Sequence, residues 1–248
     1  VLGTPNRWVG GANYFCGNSV HLVTYLTQGA FVVDPDLDYC NYLILIGVQG
    51  GFMTEPHAVT TATKTAEARA RGMKVIVVDP VLSTAAAKAD EWVPIRPGTD
   101  GALALAMLNV LLNEVAIYDA EFIKKYTNGP YLIGADGHYL RDETSKKPLI
   151  WDPVDEKTKT YDDANIKDFA IEGNYGVNDT SRKPAFQLLK EHVSNYTPEE
   201  TAEITTIPAK TIRRITREFA EAASIGNTIV VDGKELPYRP ACTYGRRG

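Results

Sequence analysis

The sequence predicts an α/β fold, in which an open, mainly parallel sheet carries helices on both faces and an irregular insertion interrupts the pattern. Two continuous apolar runs, Tyr42 to Ile46 and Val75 to Val78, are typical of strands that are buried on both faces. A helix is predicted between them, from Pro56 to Arg71, with proline in its first turn and Gly72 at its end. A strand, a helix and a strand in this order form a βαβ unit with parallel strands.

The stretch from Lys74 to Glu114 is the most informative part of the chain. After Asp79-Pro80 it predicts a short Ala-rich helix, a strand at Trp92 to Ile95, a turn at Pro97 to Asp100 and a long apolar helix. Two predicted strands therefore end in polar turns at one edge of the sheet. Ligands of open parallel sheets bind beyond the carboxyl ends of the strands, so we expect a binding crevice at this edge.

Three segments are expected along the chain. Residues 1–140 form the main α/β part, 141–183 form a polar, irregular insertion, and 184–248 supply helices and a closing strand at Asn227 to Val231. Within the last segment, Ile212, Ile215, Phe219 and Ala222 recur at helical spacing, which predicts a helix face packed on the sheet. Both ends of the sequence fall in apparently unfinished segments, so we expect the chain to be a fragment of a longer polypeptide.

Composition excludes several classes of function. The net charge of -5, with lysine and arginine scattered, argues against nucleic acid as a partner. No apolar run approaches the ~20 residues that span a bilayer, so no transmembrane segment is predicted. The three cysteines form no CxxC pair and the four histidines form no metal-ligand pair, so neither a zinc site nor a disulfide framework is indicated. The cellular compartment is left open.

Several candidate site residues have two interpretations. The turn from Gly47 to Gly51 lacks the GxGxxG spacing of a nicotinamide-binding fold. Asp79 could bind a ligand or belong to an ordinary Asp-Pro turn, and Ser83 could simply cap the Ala-rich helix. Thr99 and Asp100 could likewise cap the long helix rather than contact a ligand.

Cys16 is the remaining candidate. It lies in a loop rich in Gly and Asn at the start of a predicted helix, where the helix dipole favours a thiolate that can attack a substrate or bind a metal. The alternative is a small hydrophobic core residue.

Together these features resemble the molybdopterin oxidoreductases of the dimethyl sulfoxide reductase family. The resemblance spans nearly the whole chain except about 141–183. It rests on Gly3-Thr4-Pro5-Asn6 followed by Cys16, on LILIGVQG at 43–50, on the highly specific stretch at 74–112, and on IPAKTIRRITREFA at 207–220.

The resemblance implies a Rossmann-like fold that binds molybdopterin guanine dinucleotide, two copies per molybdenum or tungsten. By that resemblance Cys16 is a metal ligand, because a soft thiolate suits these metals. The residues implied at the dinucleotide are Gly47, Gln49 and Gly50 after the first strand; Asp79, Pro80, Val81 and Ser83 after the second; and Pro97, Gly98, Thr99 and Asp100, with Asp100 accepting a hydrogen bond from guanine.

The sequence departs from the family at two places. Gln49-Gly50 replaces the usual Asn-Pro pair, and Val81 replaces a basic residue that often follows the Asp-Pro. The conformation that the first loop has in the family is therefore not implied for this chain. Val81 also has no guanidinium group that could stack on guanine.

The function implied is two-electron oxidation or reduction of a small-molecule substrate. The expected partners are the remaining domains of the parent polypeptide, an iron-sulfur cluster outside this chain and an electron-transfer iron-sulfur subunit. The isolated chain is expected to be inactive. Two alternatives stay open: a non-redox hydratase or hydroxyl transferase with the same cofactor, and a non-catalytic nucleotide- or cofactor-binding module.

Overall fold

A computed structural model describes residues 21–30, 33–48, 58–177 and 180–245. Cys16, Gln49 and Gly50 lie outside these ranges, so the predictions for them are not addressed by the structure. The described chain forms two compact units. The first combines the residues up to Ala104 with those from Pro198 onward, and the second is Leu105–Thr197.

The elements follow the predicted alternation closely in the first half of the chain. The helices are α1 (Leu22–Gln28), α2 (Ala58–Ala70), α3 (Thr84–Lys88), α4 (Asp100–Asn109), α5 (Ala120–Tyr126), α6 (Ala185–Val193), α7 (Pro198–Thr205) and α8 (Ala209–Ala222), and a π-helical turn at Val110–Glu114 follows α4. The strands are β1 (Tyr42–Ile46), β2 (Lys74–Val78), β3 (Glu91–Val93), β4 (Leu149–Asp152), β5 (Lys157–Thr160), β6 (Tyr175–Val177), β7 (Thr180–Arg182), β8 (Thr228–Val231), β9 (Lys234–Pro237) and β10 (Ala241–Gly245). No helix within the described ranges is both long and apolar enough to cross a bilayer.

The first unit is built on a four-stranded sheet in the order β10-β1-β2-β3. All three strand pairs are parallel, as predicted. The register aligns the strand ends, because Ile46 lies opposite both Val78 and Gly245, and Val78 lies opposite Val93. The segments that follow β1, β2 and β3 therefore leave the sheet from one edge, where β10 also ends.

Helices cover both faces of this sheet. On one face, side chains of β1 and β2 form a buried cluster with Ala68 of α2 and with Ala85 and Ala86 of α3. On the other face, Tyr42 of β1 packs edge-on against Phe219 of α8, with ring centroids 6.3 Å apart. Burial on both faces explains why β1 and β2 read as continuous apolar runs rather than as alternating ones.

The prediction for the closing strand was wrong. The strand predicted at Asn227 to Val231 exists as β8, but it pairs antiparallel with β9 and does not join the sheet. A two-residue Asp232-Gly233 turn joins the two strands, and both residues have positive φ (50° and 75°), which is the hairpin geometry that Asp-Gly favours. The fourth strand of the sheet is β10, which lies in a segment for which the sequence predicted no strand.

The second unit contains more regular structure than the polar composition of 141–183 suggested. Two antiparallel pairs, β4–β5 and β6–β7, lie in that stretch. The core of the unit includes Leu112, Ile171, Phe186 and Val193. This unit extends across both predicted segment boundaries, at residues 140 and 183.

Candidate cofactor-binding site

The carboxyl edge of the sheet begins with Gly47, directly after β1. Its φ of +61° lies in the left-handed region that favours glycine, and its N–H donates to the carbonyl oxygen of Val78 at 2.9 Å. This bond holds the beginning of the first loop against the end of β2. The sequence-predicted site residues Gly47 and Asp79 therefore follow adjacent strand ends.

Asp79 is held in place by three hydrogen bonds. Its N–H donates to Val93 (3.3 Å), its Oδ1 accepts from the N–H of Val81 (3.0 Å), and its carbonyl oxygen accepts from Nε1 of Trp92 (2.9 Å). The residue is only 7% exposed. Within the described chain, its second carboxylate oxygen, Oδ2, accepts no hydrogen bond. Asp79 thus belongs to an Asp-Pro turn, which is one of its two predicted roles. Its Oδ2 can still accept a hydrogen bond from a ligand, which is the other.

The residues after Asp79 present an apolar surface to solvent. Pro80 is exposed, and Val81 and Leu82 are 63% and 60% exposed. The Asp79 bond to Val81 fixes the backbone of this segment, which we call the Pro80–Leu82 shelf. An exposed apolar shelf beside a buried carboxylate suits a flat ligand with polar edges.

Ser83 caps α3, as the simpler interpretation predicted. Its Oγ accepts from the N–H of Ala86 at 3.3 Å, and its own N–H donates to Val81 at 2.8 Å. The cap fixes where α3 begins and so where the shelf ends. A contact of Ser83 with a cofactor remains a prediction.

The Pro97–Asp100 turn leads into α4. Gly98 takes a φ of +76°, and the Thr99 hydroxyl donates back to the Arg96 carbonyl at 2.7 Å. In the region that the structure describes, no backbone N–H of α4 donates to the side chain of Thr99 or Asp100, so these side chains do not cap the helix. The N–H groups of Ala102 and Leu103 donate to the Thr99 carbonyl oxygen, so only those of Asp100 and Gly101, together with the half-exposed Asp100 carboxylate, remain available to a ligand.

A metal site is not found in the described ranges, which hold no group of three or more His, Cys, Asp or Glu side chains placed to bind an ion. The predicted metal ligand, Cys16, and the loop residues Gln49 and Gly50 lie outside those ranges.

Two contributors to this edge were missed in the sequence. Trp92 was seen only as a strand residue, although its indole N–H fixes the Asp79 carbonyl. Gly245 ends β10 beside Ile46 at the same edge. The segment from Ala241 to Gly245 carries little signal for a strand, because it is short, does not alternate between apolar and polar residues and is only half-buried.

A parallel sheet with a buried acidic side chain, an exposed apolar shelf and a helix start at one edge is typical of α/β proteins that bind a ligand at the carboxyl ends of the strands. The chain belongs to the molybdopterin oxidoreductase family, whose model matches residues 10–230. This confirms the resemblance noted in the sequence, and the family implies a molybdenum- or tungsten-pterin cofactor.

Similar proteins agree with this assignment. A sulfite dehydrogenase of Allochromatium vinosum is 36% identical over 241 residues, which is 89% of this chain and 24% of that protein. The alpha chain of perchlorate reductase from Dechloromonas aromatica is 32% identical over 237 residues, which is 79% of this chain and 25% of that protein. The solved structure of acetylene hydratase from Pelobacter acetylenicus superposes with a TM-score of 0.53 at 26% identity, covering 87% of this chain and 21% of its own. The chain thus spans about a quarter of the length of these relatives.

Proposed function

We propose that this chain is the part of a molybdenum- or tungsten-dependent oxidoreductase that binds the guanine dinucleotide arm of the pterin cofactor. The observation that carries the proposal is Asp79, a buried carboxylate at the end of β2 that has one oxygen committed to Val81 and the other open. The family assignment supplies the class of cofactor, and the edge of the sheet supplies the place for it.

The residues at this edge fit a guanine nucleotide. A carboxylate accepts hydrogen bonds only, and the guanine edge offers a ring N–H and an amino group as donors. Val81 and Leu82 offer the apolar contact that a purine face prefers. The half-exposed Asp100 carboxylate at the start of α4 can accept from a second guanine donor, as the family resemblance implies.

Each residue has a role in positioning. Asp79 orients the base, Trp92 and the Val81 N–H hold Asp79 in place, and the shelf keeps water from the base. When bound, the metal-pterin group supplies two-electron transfer at the metal. Cys16 as a metal ligand, the second pterin dinucleotide, the iron-sulfur cluster and an electron-transfer partner subunit stay predictions from the family resemblance.

The test is guanine nucleotide binding by the chain before and after Asp79→Asn. Asparagine keeps the oxygen that accepts from the Val81 N–H. In place of Oδ2 it carries an NH₂ group, which cannot accept a hydrogen bond from the guanine N–H groups. We expect GDP affinity, measured by isothermal titration calorimetry, to fall by about tenfold or more, as for loss of a hydrogen bond to a charged group. ADP affinity should change little, so the preference for GDP falls.

A matched control is Asp136→Asn in the second unit. Asp136 Oδ1 accepts from the N–H of His138 two residues on (3.1 Å), which is the same local bond that Asp79 makes with Val81. The control variant keeps the GDP affinity of the wild type. Equal loss in both variants, or no loss at Asp79, would refute the assignment of the guanine site.

A non-redox function is the second candidate, because acetylene hydratase is among the proteins that this chain resembles. The two reactions differ in their need for an electron acceptor. If the full-length protein still turns over substrate when every electron acceptor and electron donor is removed, it is a hydratase or hydroxyl transferase. Turnover that stops under those conditions assigns the oxidoreductase.

A further inference from the structure

Two cysteines from distant parts of the sequence meet beside the first sheet. Cys40 lies two residues before β1, and Cys242 lies within β10 opposite Leu43. Both pack in the cluster that buries one face of the sheet, where Cys40 is 1% exposed and Cys242 is partly exposed. The Cys40 Sγ lies 3.3 Å from the Tyr42 carbonyl oxygen and also within hydrogen-bonding distance of the Cys242 sulfur, so its single S–H has two acceptors in reach.

This contact makes the two thiols chemically different. Hydrogen bonding from Cys40 lowers the pKa of Cys242 below the usual thiol value, and burial only partly opposes it. Nearby, the Asp36 backbone lowers the same pKa while the Asp36 carboxylate raises it. The hydrogen bond and the burial together raise the pKa of Cys40. Cys242 is therefore the more acidic thiol of the pair, and the one that more readily supplies a nucleophilic thiolate.

Cys242 also faces a cavity. The cavity measures about 230 Å³, and the β8–β9 hairpin contributes Ile229, Val231 and Leu236 to its wall, while Tyr39 and Asp36 line it from the segment before β1. Cys242 thus lines a cavity with largely apolar walls, whereas Cys40 does not line it and is 1% exposed. The two sulfurs have unequal access as well as unequal acidity.

We propose that Cys242 is a modification site for hydroperoxides and that Cys40 resolves the product as a Cys40–Cys242 disulfide. The Cys242 thiolate attacks one peroxide oxygen, the O–O bond breaks, and the other oxygen leaves as an alcohol, or as water from hydrogen peroxide, after taking up a proton. The resulting sulfenic acid is attacked by the Cys40 sulfur, the S–O bond breaks, and the hydroxide leaves as water with the Cys40 proton. Two thiols lose two electrons, and one peroxide gains them.

The experiment treats the folded chain with hydrogen peroxide or cumene hydroperoxide and maps its peptides by mass spectrometry without reduction. The expected product is a cross-linked pair of peptides containing Cys40 and Cys242, with loss of two hydrogens, that dithiothreitol reverses. The apolar wall of the cavity leads us to expect faster reaction with cumene hydroperoxide than with hydrogen peroxide.

Three single variants separate the roles. In Cys40→Ser the reaction stops at a Cys242 sulfenic acid, which dimedone traps. In Cys242→Ser the buried Cys40 is oxidised at least about tenfold more slowly than Cys242 is in the wild type. Cys16→Ser retains the Cys40–Cys242 cross-link, because the third cysteine takes no part.

Circular dichroism before treatment shows whether each variant is folded. If a variant does not fold, the peptide map of the oxidised wild-type chain still tests the proposal. A Cys40–Cys242 cross-link in the native chain supports it. Two free thiols after treatment, a cross-link to Cys16 instead, or a cross-link that forms only in denaturant overturns it.

Discussion

At the scale of single residues, Lys159 of the second unit is a buried cation with three hydrogen-bond acceptors. Its Nζ donates to Asp152 at 2.7 Å, to Asp155 at 2.6 Å and to the carbonyl of Asn165 at 2.6 Å, and its side chain is 4% exposed. Burial raises the pKa of Asp152, but bonds from Lys159 and three backbone N–H groups outweigh it and lower that pKa. Buried charges are tolerated only when they are fully paired in this way.

Replacement of Lys159 by methionine is expected to destabilise the chain strongly. The variant leaves Asp152 buried and facing Asp155 without a cation between them, and breaking one side of a buried ion pair costs far more than losing a surface pair. The measurement is the urea midpoint at pH 7. The control is Lys167→Met, which removes an exposed lysine (58%) that bonds the same Asp155. Similar midpoints for the two variants would contradict the prediction.

The same residues show why the second unit was hard to predict. Asp152, Asp155 and Lys159 appear in the sequence as a charged surface segment, because pairing between them becomes visible only when β4 and β5 are aligned. Composition records the charges but not their partners. The proximity of Cys40 and Cys242 was hidden for the same reason.

At the scale of elements, α8 is joined to the sheet by polar contacts as well as apolar ones. Glu218 of α8 accepts from the Tyr42 hydroxyl (2.7 Å), from Lys74 (2.8 Å) and from Arg214 (3.0 Å), and Arg214 also bonds Glu91 of β3. Burial raises the pKa of Glu218, but these donors outweigh it and lower that pKa to about 2. One carboxylate thus connects α8 to both β1 and β2.

Glu218→Gln is expected to lower the unfolding free energy at neutral pH by on the order of 2 kcal/mol. The folded-state pKa lies below the unfolded value of 4.5, so this contribution is present above pH 4.5 and disappears as the pH falls towards about 2. Denaturant titrations across this range should therefore show the wild type and the variant converging. Glu221→Gln, an exposed position on the same helix, serves as the control. A difference that stays constant with pH would exclude the ionised Glu218 as its source.

The amphipathic pattern of α8 did predict which of its faces packs. Ile212 and Ile215 are fully buried and Phe219 contacts Tyr42, as their spacing required. Continuous apolar runs likewise located β1 and β2, and strand-end chemistry located Asp79 and the Pro97–Asp100 turn. β10 was not predicted because a short, half-exposed strand is stabilised mainly by pairing with another strand, and its partner β1 lies far away in the sequence.

At the scale of the whole molecule, the first unit is discontinuous in sequence. The chain leaves it after Ala104 and re-enters at Pro198, and the last segment supplies both α8 and β10. β10 covers the edge of β1, whose residues Leu43, Ile44 and Leu45 are at most 1% exposed. The sheet therefore depends on residues from both ends of the chain.

Truncation after Ser224 is expected to make the protein aggregate. Removal of β8, β9 and β10 exposes the backbone edge of an apolar strand, which is a template for pairing with other chains. Size-exclusion chromatography with light scattering measures the effect, and a chain that ends at Gly245 is the control because it retains β10. A monodisperse, monomeric product of the Ser224 truncation would show that β10 does not protect this edge.

The parallel pairing of β1 with β10 also sets the order of events during synthesis. β1 leaves the ribosome early, but its second neighbour is not made until residues 241–245 have been translated. Throughout that interval the nascent polypeptide presents an unpaired apolar strand edge, and non-local parallel pairing is slow to form. Translation speed across the second unit, and chaperones that shield the growing chain, are therefore expected to govern how much of this protein reaches its native state in the cell.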